Sequence, residues 1–254
     1  AGSNLTANDV SVGGNLNAKA QNITANSVTS KGNAVLTADK DVTLAGGISA
    51  KRNAELTAGE NMTLGGKTDV GGTLTTNVAH DLTVNDAVTT GADFAAIVGN
   101  DAVTNGIVTT NGALKWNVGN DLTANAAVLS HGTITIDAQN VNLNADLMSD
   151  KNLAITAKDN IFTKEGTNLS TKADGRLKAR TVGFGGDVRA DGTLTIETDE
   201  QLAAQNITAG RAATLNAGTA LTAHNITAGG NAVLNAGADL TANDVTAGGS
   251  LNAK

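Results

Sequence analysis

Along the whole chain an aliphatic residue, commonly followed by Thr and a small residue, returns every 18 to 21 positions. It stands at Leu5, Ile23, Val42, Met62, Leu82, Val103, Leu122, Val141, Ile161, Val182, Leu202, Leu221 and Leu240. A repeat of this length is one supersecondary unit that cannot bury its own apolar face, so it stacks on its neighbours. Two further aliphatic positions recur inside each repeat. One runs from Val10, Val28 and Ile48 through Val70 and Val88 to Val245, the other from Leu16, Leu36 and Leu56 through Leu153, Leu177 and Leu194 to Leu251. Around each anchor the pattern alternates, as in Leu5-Thr6-Ala7 or Ile134-Thr135-Ile136, the period of a strand with one face buried. Gly-Gly pairs such as Gly46-Gly47 and Gly229-Gly230, together with Asn and Asp, fill the stretches between anchors, as suits tight corners.

Three short strands in 19 to 20 residues leave no room for helices. The expected fold is therefore all-β: a right-handed parallel β-helix (β-solenoid) of about 13 coils with three short strands each, stacked at ~4.8 Å into a rod of ~60 Å. One repeat segment, 1–254, is expected, with an irregular loop near 163–175 where the spacing from Ile161 to Leu177 stretches to 16 against 11 to 14 elsewhere. The residue two places after the first anchor is small near the ends (Ala7, Ala25, Ala223, Ala242) and larger between (Leu44, Leu64, Val84, Leu143, Phe184), which predicts a wider middle. Trp116 reads as a core filler, and Asn105 as a polar residue in an apolar inward column, relieved by a local bulge.

Composition narrows the function classes. With no Cys the chain has no disulfide scaffold, thiolate metal site or cysteine nucleophile. A net charge of −7 argues against nucleic-acid binding. No cofactor motif is present: the three histidines, His80, His131 and His224, are 51 and 93 residues apart, and GFGGDV near Gly183 has no following helix. A polysaccharide-acting enzyme on such a fold needs carboxylates on neighbouring coils. In the column before the first anchors, read as Asp41, Asn61, Asp81, Ala102, Asp121 and Asn140, acids alternate with non-acids, as like charges one coil apart would repel. No catalytic or metal site is expected. Outward positions after the first anchors are Thr in nine of thirteen repeats, Thr104 among them, as suits a solvated strand face.

One region is basic on an otherwise acidic chain. Lys172, Arg176, Lys178, Arg180 and Arg189 are candidate contacts for sulfated or carboxylated glycans, Arg offering bidentate donors, against the simpler reading of a solvated loop balanced by Glu197, Asp199 and Glu200.

Leu5–Lys19 and Leu240–Lys254 match at 12 of 15 positions, and neither end shows an atypical cap, so flanking repeats of the same chain are expected to stack on both. The units NLTANDVSVGGNLNAK, RNAELTAGENMTLGG and NITAGGNAVLNAGADLTAND resemble the haemagglutinin repeats of filamentous haemagglutinin and related two-partner secretion exoproteins of Gram-negative bacteria, over essentially the whole chain. The resemblance implies a secreted, surface-exposed, non-enzymatic shaft of an adhesin, exported by an outer-membrane transporter partner, with a host-surface glycan or protein as a possible receptor. The stick of a contact-dependent growth-inhibition exoprotein is the alternative within the same repeats.

Overall fold

The structure, a computed structural model, describes residues 2–254. Among the described residues all regular elements are strands, the strands pair in parallel, and the chain winds as a β-solenoid of about 12 turns. Thirteen anchors delimit about twelve turns, which accounts for the difference from the expected thirteen coils. The coils fall into two compact units, one ending at Gly132 and one spanning Thr133–Lys254.

In the first unit each strand pairs with its equivalent one turn on. On the first face Leu5 pairs with Ile23, Ile23 with Val42, Val42 with Met62 and Met62 with Leu82. The second face carries Val10, Val28 and Ile48, and the third Leu16, Ala34 and Ala54. In the second unit Val141 pairs with Ile161, then Val182, Leu202, Leu221 and Leu240. Inward side chains are buried almost to completion, Val42, Leu44, Leu56 and Leu122 at 0% exposure, each contributing about 1.5–3 kcal/mol.

Several coils have two long strands where three short ones were expected. The first and second faces run together in Leu5–Val12, Ile23–Ser30, Leu202–Ala209, Leu221–Ala228 and Leu240–Ala247. There the first-face anchor precedes the second-face anchor by five residues, against six in the coils beginning at Val42, Met62 and Leu82. The sixth residue goes with the larger inward side chain: Ala7, Ala25, Ala204, Ala223 and Ala242 occupy the tight corners, Leu44, Leu64 and Val84 the wider ones. Corner length and core volume change together in these coils. Ala124 departs from this pattern, a small inward residue in a coil whose spacing, Leu122 to Val128, is six.

The anchors drift between columns. The third face has two adjacent inward columns, one through Leu16, Ala34, Ala54, Leu74, Phe94 and Leu114, the other through Ala18, Leu36, Leu56, Thr76, Ala96 and Trp116. Where one is large the other is usually small, so Leu36 and Leu74 belong to different columns although the repeat pattern joins them. The same exchange in the second unit sets Gly175 in register with Leu153 and Leu194, and Leu177 with Ile155 and Ile196. On the second face Thr68, two residues before Val70, is in register with Ile48 and Val88. On the first face Ala102, one residue before Val103, is in register with Leu82 and Leu122.

That one-residue offset changes three assignments. Asn105 is exposed at a corner, bonded to Asn85 at 3.0 Å and by Asn125 at 2.8 Å, so no bulge is needed. Val103 interrupts the outward Thr array, while Thr104 turns inward at 2% exposure. The hydroxyls of Thr68, Thr76 and Thr104 are buried without hydrogen-bond partners, as is Trp116 Nε1. Trp116 fills the core as expected, its ring edge-on to Phe94 at 5.9 Å and 83°, with room provided by Ala96 one coil below.

The irregular coil differs from its neighbours at one corner. Lys164–Asn168 separates the strands Leu153–Thr163 and Leu169–Thr171, and Gly166 takes φ +76° there. Among the described residues only Gly47, at φ +93°, shares a positive φ. Many other corner glycines answer to space: a Cβ on Gly99 would lie 2.0 Å from the Ala79 carbonyl oxygen of the coil below.

Two outcomes follow. Ala54→Leu overfills its column, at about 1–3 kcal/mol; combined with Leu56→Ala it costs less than the sum of the two single changes, because the pair then reads as Leu74-Thr76 does. Urea unfolding of the three variants measures this. Thr104→Val removes an unbonded buried hydroxyl and raises the thermal midpoint, the isosteric methyl recovering about 1 kcal/mol.

Candidate functional site

The basic cluster lies in the second unit, where parallel register decides which charges meet. Lys172 follows the second-face strand Leu169–Thr171 and places Nζ 2.6 Å from Asp150 Oδ1 of the coil below. Arg176 projects outward from Gly175–Ala179 on the third face and reaches Glu197 Oε2 at 3.2 Å on the coil above. Arg180, at the next corner, spans both neighbours, 3.4 Å from Asp159 and 3.5 Å from Glu200. Arg189 lies on the second face and pairs with Asp191 at 2.8 Å. Lys178 is exposed on the third face, in register with Glu197.

Four of the five candidate cations therefore rest on carboxylates, three of them across coils. The cluster is distributed over the second face, the third face and two corners. Exposed pairs of this kind contribute about 0–1 kcal/mol each, and an anionic ligand would compete with carboxylates already in place. Beside them runs a groove of about 450 Å³ lined by Asn152, Ala154, Asp174, Gly175, Arg176 and Thr193. A smaller hollow of about 230 Å³ lies against Met148, Ser170, Lys172, Arg189 and Asp191.

Asp174 shows what the corner carboxylates do. Its Oδ1 accepts from the Thr193 backbone N–H at 2.8 Å on the next coil, and from Arg211 Nη2 at 2.9 Å two coils on. The Thr193 N–H lowers the carboxyl pKa most; partial burial opposes it, and the charge and hydrogen bond of Arg211 add to the lowering. The same device recurs wherever Asn or Asp precedes a third-face anchor. Asn15, Asn33 and Asn53 each accept from the backbone N–H one coil on, at 2.9, 3.1 and 3.0 Å, and Asn231 does so at 3.0 Å. These side chains carry the coil-to-coil ladder around a corner.

The acids before the first anchors alternate with non-acids through Asp41, Asn61 and Asp81 but not beyond. With Ala102 as the anchor, Asp101 joins Asp81 and Asp121, giving carboxylates on three successive coils. Repulsion is offset by donors. Asp81 Oδ1 accepts from Asn100 Nδ2 at 2.7 Å and Asp101 N at 3.1 Å, and Asp101 Oδ1 from Asn120 Nδ2 at 2.7 Å and Asp121 N at 3.0 Å. This is the corner ladder again. Among the described residues no group of three or more His, Cys, Asp or Glu is arranged to hold a metal ion. Sequence reasoning also passed over Phe162, 43% exposed on the first face of the second unit, with its ring against Gly183, where a Cβ would lie 2.7 Å from Cδ1.

No protein-family model matches the chain, and neither the curated proteins nor the solved structures contain a match to it.

Asp174 has a signed pH consequence. Its folded pKa is lowered, so its stabilisation is full above the unfolded value of about 3.9 and is lost as pH falls through the folded value. Asp174→Asn lowers the thermal midpoint at neutral pH, and the gap from the unsubstituted chain closes on titration below about pH 4.

Proposed function

We propose that this chain is a shaft segment of a secreted, surface-exposed adhesin of the filamentous haemagglutinin type, a non-enzymatic spacer that carries binding regions located elsewhere. The observation that supports this reading best is where the polar groups of the surface are spent. Corner amides and carboxylates bond the next coil, and four of the five clustered cations are seated on carboxylates. Such a surface reinforces the stack and has few groups left to converge on a substrate. Coils whose backbone pairs with that of their neighbours add length at nearly constant cost, as a spacer requires.

On this reading the partners are an outer-membrane transporter, through which a chain without disulfides passes unfolded, and flanking repeats of the same array. Lateral contact with a host glycan through Lys172, Arg176, Lys178, Arg180 and Arg189 would be secondary. Stepwise winding of coils outside the cell would favour forward export.

The test is one of length. With the chain displayed between an outer-membrane anchor and a fluorescent tag, removing residues 42–121, four 20-residue coils, brings the tag closer to the membrane by about 20 Å at undiminished display. Energy transfer to a membrane dye measures the change. An unchanged distance, or turnover of a polysaccharide by the purified chain, overturns the reading.

A further inference from the structure

Glycine directly after Asn or Asp permits a reaction of the chain on itself. The glycine nitrogen closes a five-membered ring on the preceding side chain, with no Cβ on the following residue to obstruct it. The chain holds four such pairs, Asn105-Gly106, Asn111-Gly112, Asp174-Gly175 and Asp191-Gly192. Ring closure must turn the peptide group between the two residues. A pair whose peptide is bound into the coil-to-coil ladder is therefore protected for as long as that bond holds.

Three of the four are bound in this way. Gly112 N–H donates to the Ala92 carbonyl at 3.0 Å, Gly175 N–H to Thr193 at 2.9 Å and Gly192 N–H to Ala173 at 2.9 Å. Gly112 is also held by its carbonyl, which accepts from Gly132 N–H and from the Thr110 and Ser130 hydroxyls. The corner Asn105-Gly106-Ile107 is different. Asn105 N–H donates to the Val84 carbonyl at 2.7 Å, and the Ile107 carbonyl accepts from Val88 N–H at 2.9 Å. Between these two bonds, the peptide groups that join Asn105 to Gly106 and Gly106 to Ile107 have no hydrogen-bond partner among the described residues. On the coils either side, Asp86 and Ala126 follow Asn85 and Asn125 and carry side chains that crowd the ring. A Cβ on Gly106 would lie 2.1 Å from the Asp86 carbonyl carbon, so packing favours glycine at the one place where the backbone is left loose.

The Asn105 side chain is exposed and oriented. Its Oδ1 accepts from Asn125 Nδ2 at 2.8 Å, and its Nδ2 donates to Asn85 Oδ1 at 3.0 Å. The first bond stabilises the negative charge that gathers on Oδ1 during attack. Both are single exposed hydrogen bonds, which yield at small net cost.

We propose that Asn105 is a site of self-modification by deamidation. The Gly106 nitrogen, its proton passed to water, bonds to Asn105 Cγ. The Cγ–Nδ2 bond breaks, and the amide nitrogen leaves as ammonia with a proton taken from water, so that a succinimide remains. One water then adds at either ring carbonyl and the C–N bond there breaks, giving Asp or isoaspartate at position 105. Nothing is oxidised or reduced, and the balance is one water taken up for one ammonia released. The Asp product still accepts from Asn125 and loses its donor to Asn85. The isoaspartyl product lengthens the main chain by a carbon in a corner that must return Val108 to register with Val88 and Val128, so it loosens the second face. None of this depends on the shaft reading.

The test follows the full chain, folded and in parallel unfolded in urea, through incubation in mildly alkaline buffer. Digestion at mildly acidic pH and fragmentation mass spectrometry then assign each conversion of amide to acid. In the folded chain Asn105 reacts faster than Asn111 by on the order of tenfold or more, the ratio being set by the opening that Asn111 requires. In urea the two rates converge. Asn105→Gln removes most of the ammonia released by the folded chain, since the longer side chain closes a six-membered ring far more slowly, and Asn111→Gln leaves that release unchanged. An isoaspartyl methyltransferase with a labelled methyl donor marks the aged folded chain and not aged Asn105→Gln. Comparable rates at the two sites in the folded chain overturn the proposal. So does a faster Asn111, or an Asn105 that stays intact in the folded chain while it reacts in urea.

Discussion

The parallel hydrogen-bond ladder between one coil and the next is the interaction on which everything else rests. It fixes the repeat near 20 residues, because a turn must return each strand to within about 4.8 Å of its predecessor. It also dictates that a residue's partners lie one turn away in sequence: Leu36 against Leu56, Arg176 near Glu197, Asp174 under Thr193. Corners are the weak points of such a ladder, where backbone groups would lose partners. Asn and Asp side chains take over there, accepting from the N–H one coil on.

Within that ladder the core is negotiated coil by coil. A large side chain in one third-face column is generally answered by a small one beside it, Leu56 beside Ala54 and Phe94 beside Ala96, and the wider corner of a six-residue spacing goes with Leu44 or Leu64 where the five-residue spacing goes with Ala7 or Ala25. The middle of the first unit is the least tidy part. Thr68, Thr76, Thr104 and the Trp116 indole keep unpaired polar atoms inside, where each costs about 1–3 kcal/mol. A solenoid tolerates this because each fault is confined to the coils that touch it.

The same exchange explains how far the sequence could be read. The all-β coil, its period and most first-face anchors are legible, because aliphatic residues return at nearly constant spacing with Thr outside them. What periodicity follows, however, is the bulkiest aliphatic residue and not the register. It selects Val103 over Ala102, Val70 over Thr68 and Leu177 over Gly175, since side-chain size has moved by one or two residues while the backbone has not. The error at Val103 then hid Asp101 from its column and gave Asn105 a burial it does not have. The basic cluster was visible as composition. Its pairing with Asp150, Asp159, Glu197 and Glu200 depends on register, which composition does not carry.

The corner Lys164–Asn168 shows how such a chain can acquire something new. Ile161 still pairs with Val182 and Leu169 with Val188, so the surplus residues leave the ladder on either side undisturbed. A loop grafted at its exposed residues 164–166, ahead of the buried Thr167, is not constrained by the packed interior. Lengthening it would alter what the surface offers without asking any buried neighbour to move, which makes bends of this kind the natural points of entry for novelty in an otherwise monotonous lattice.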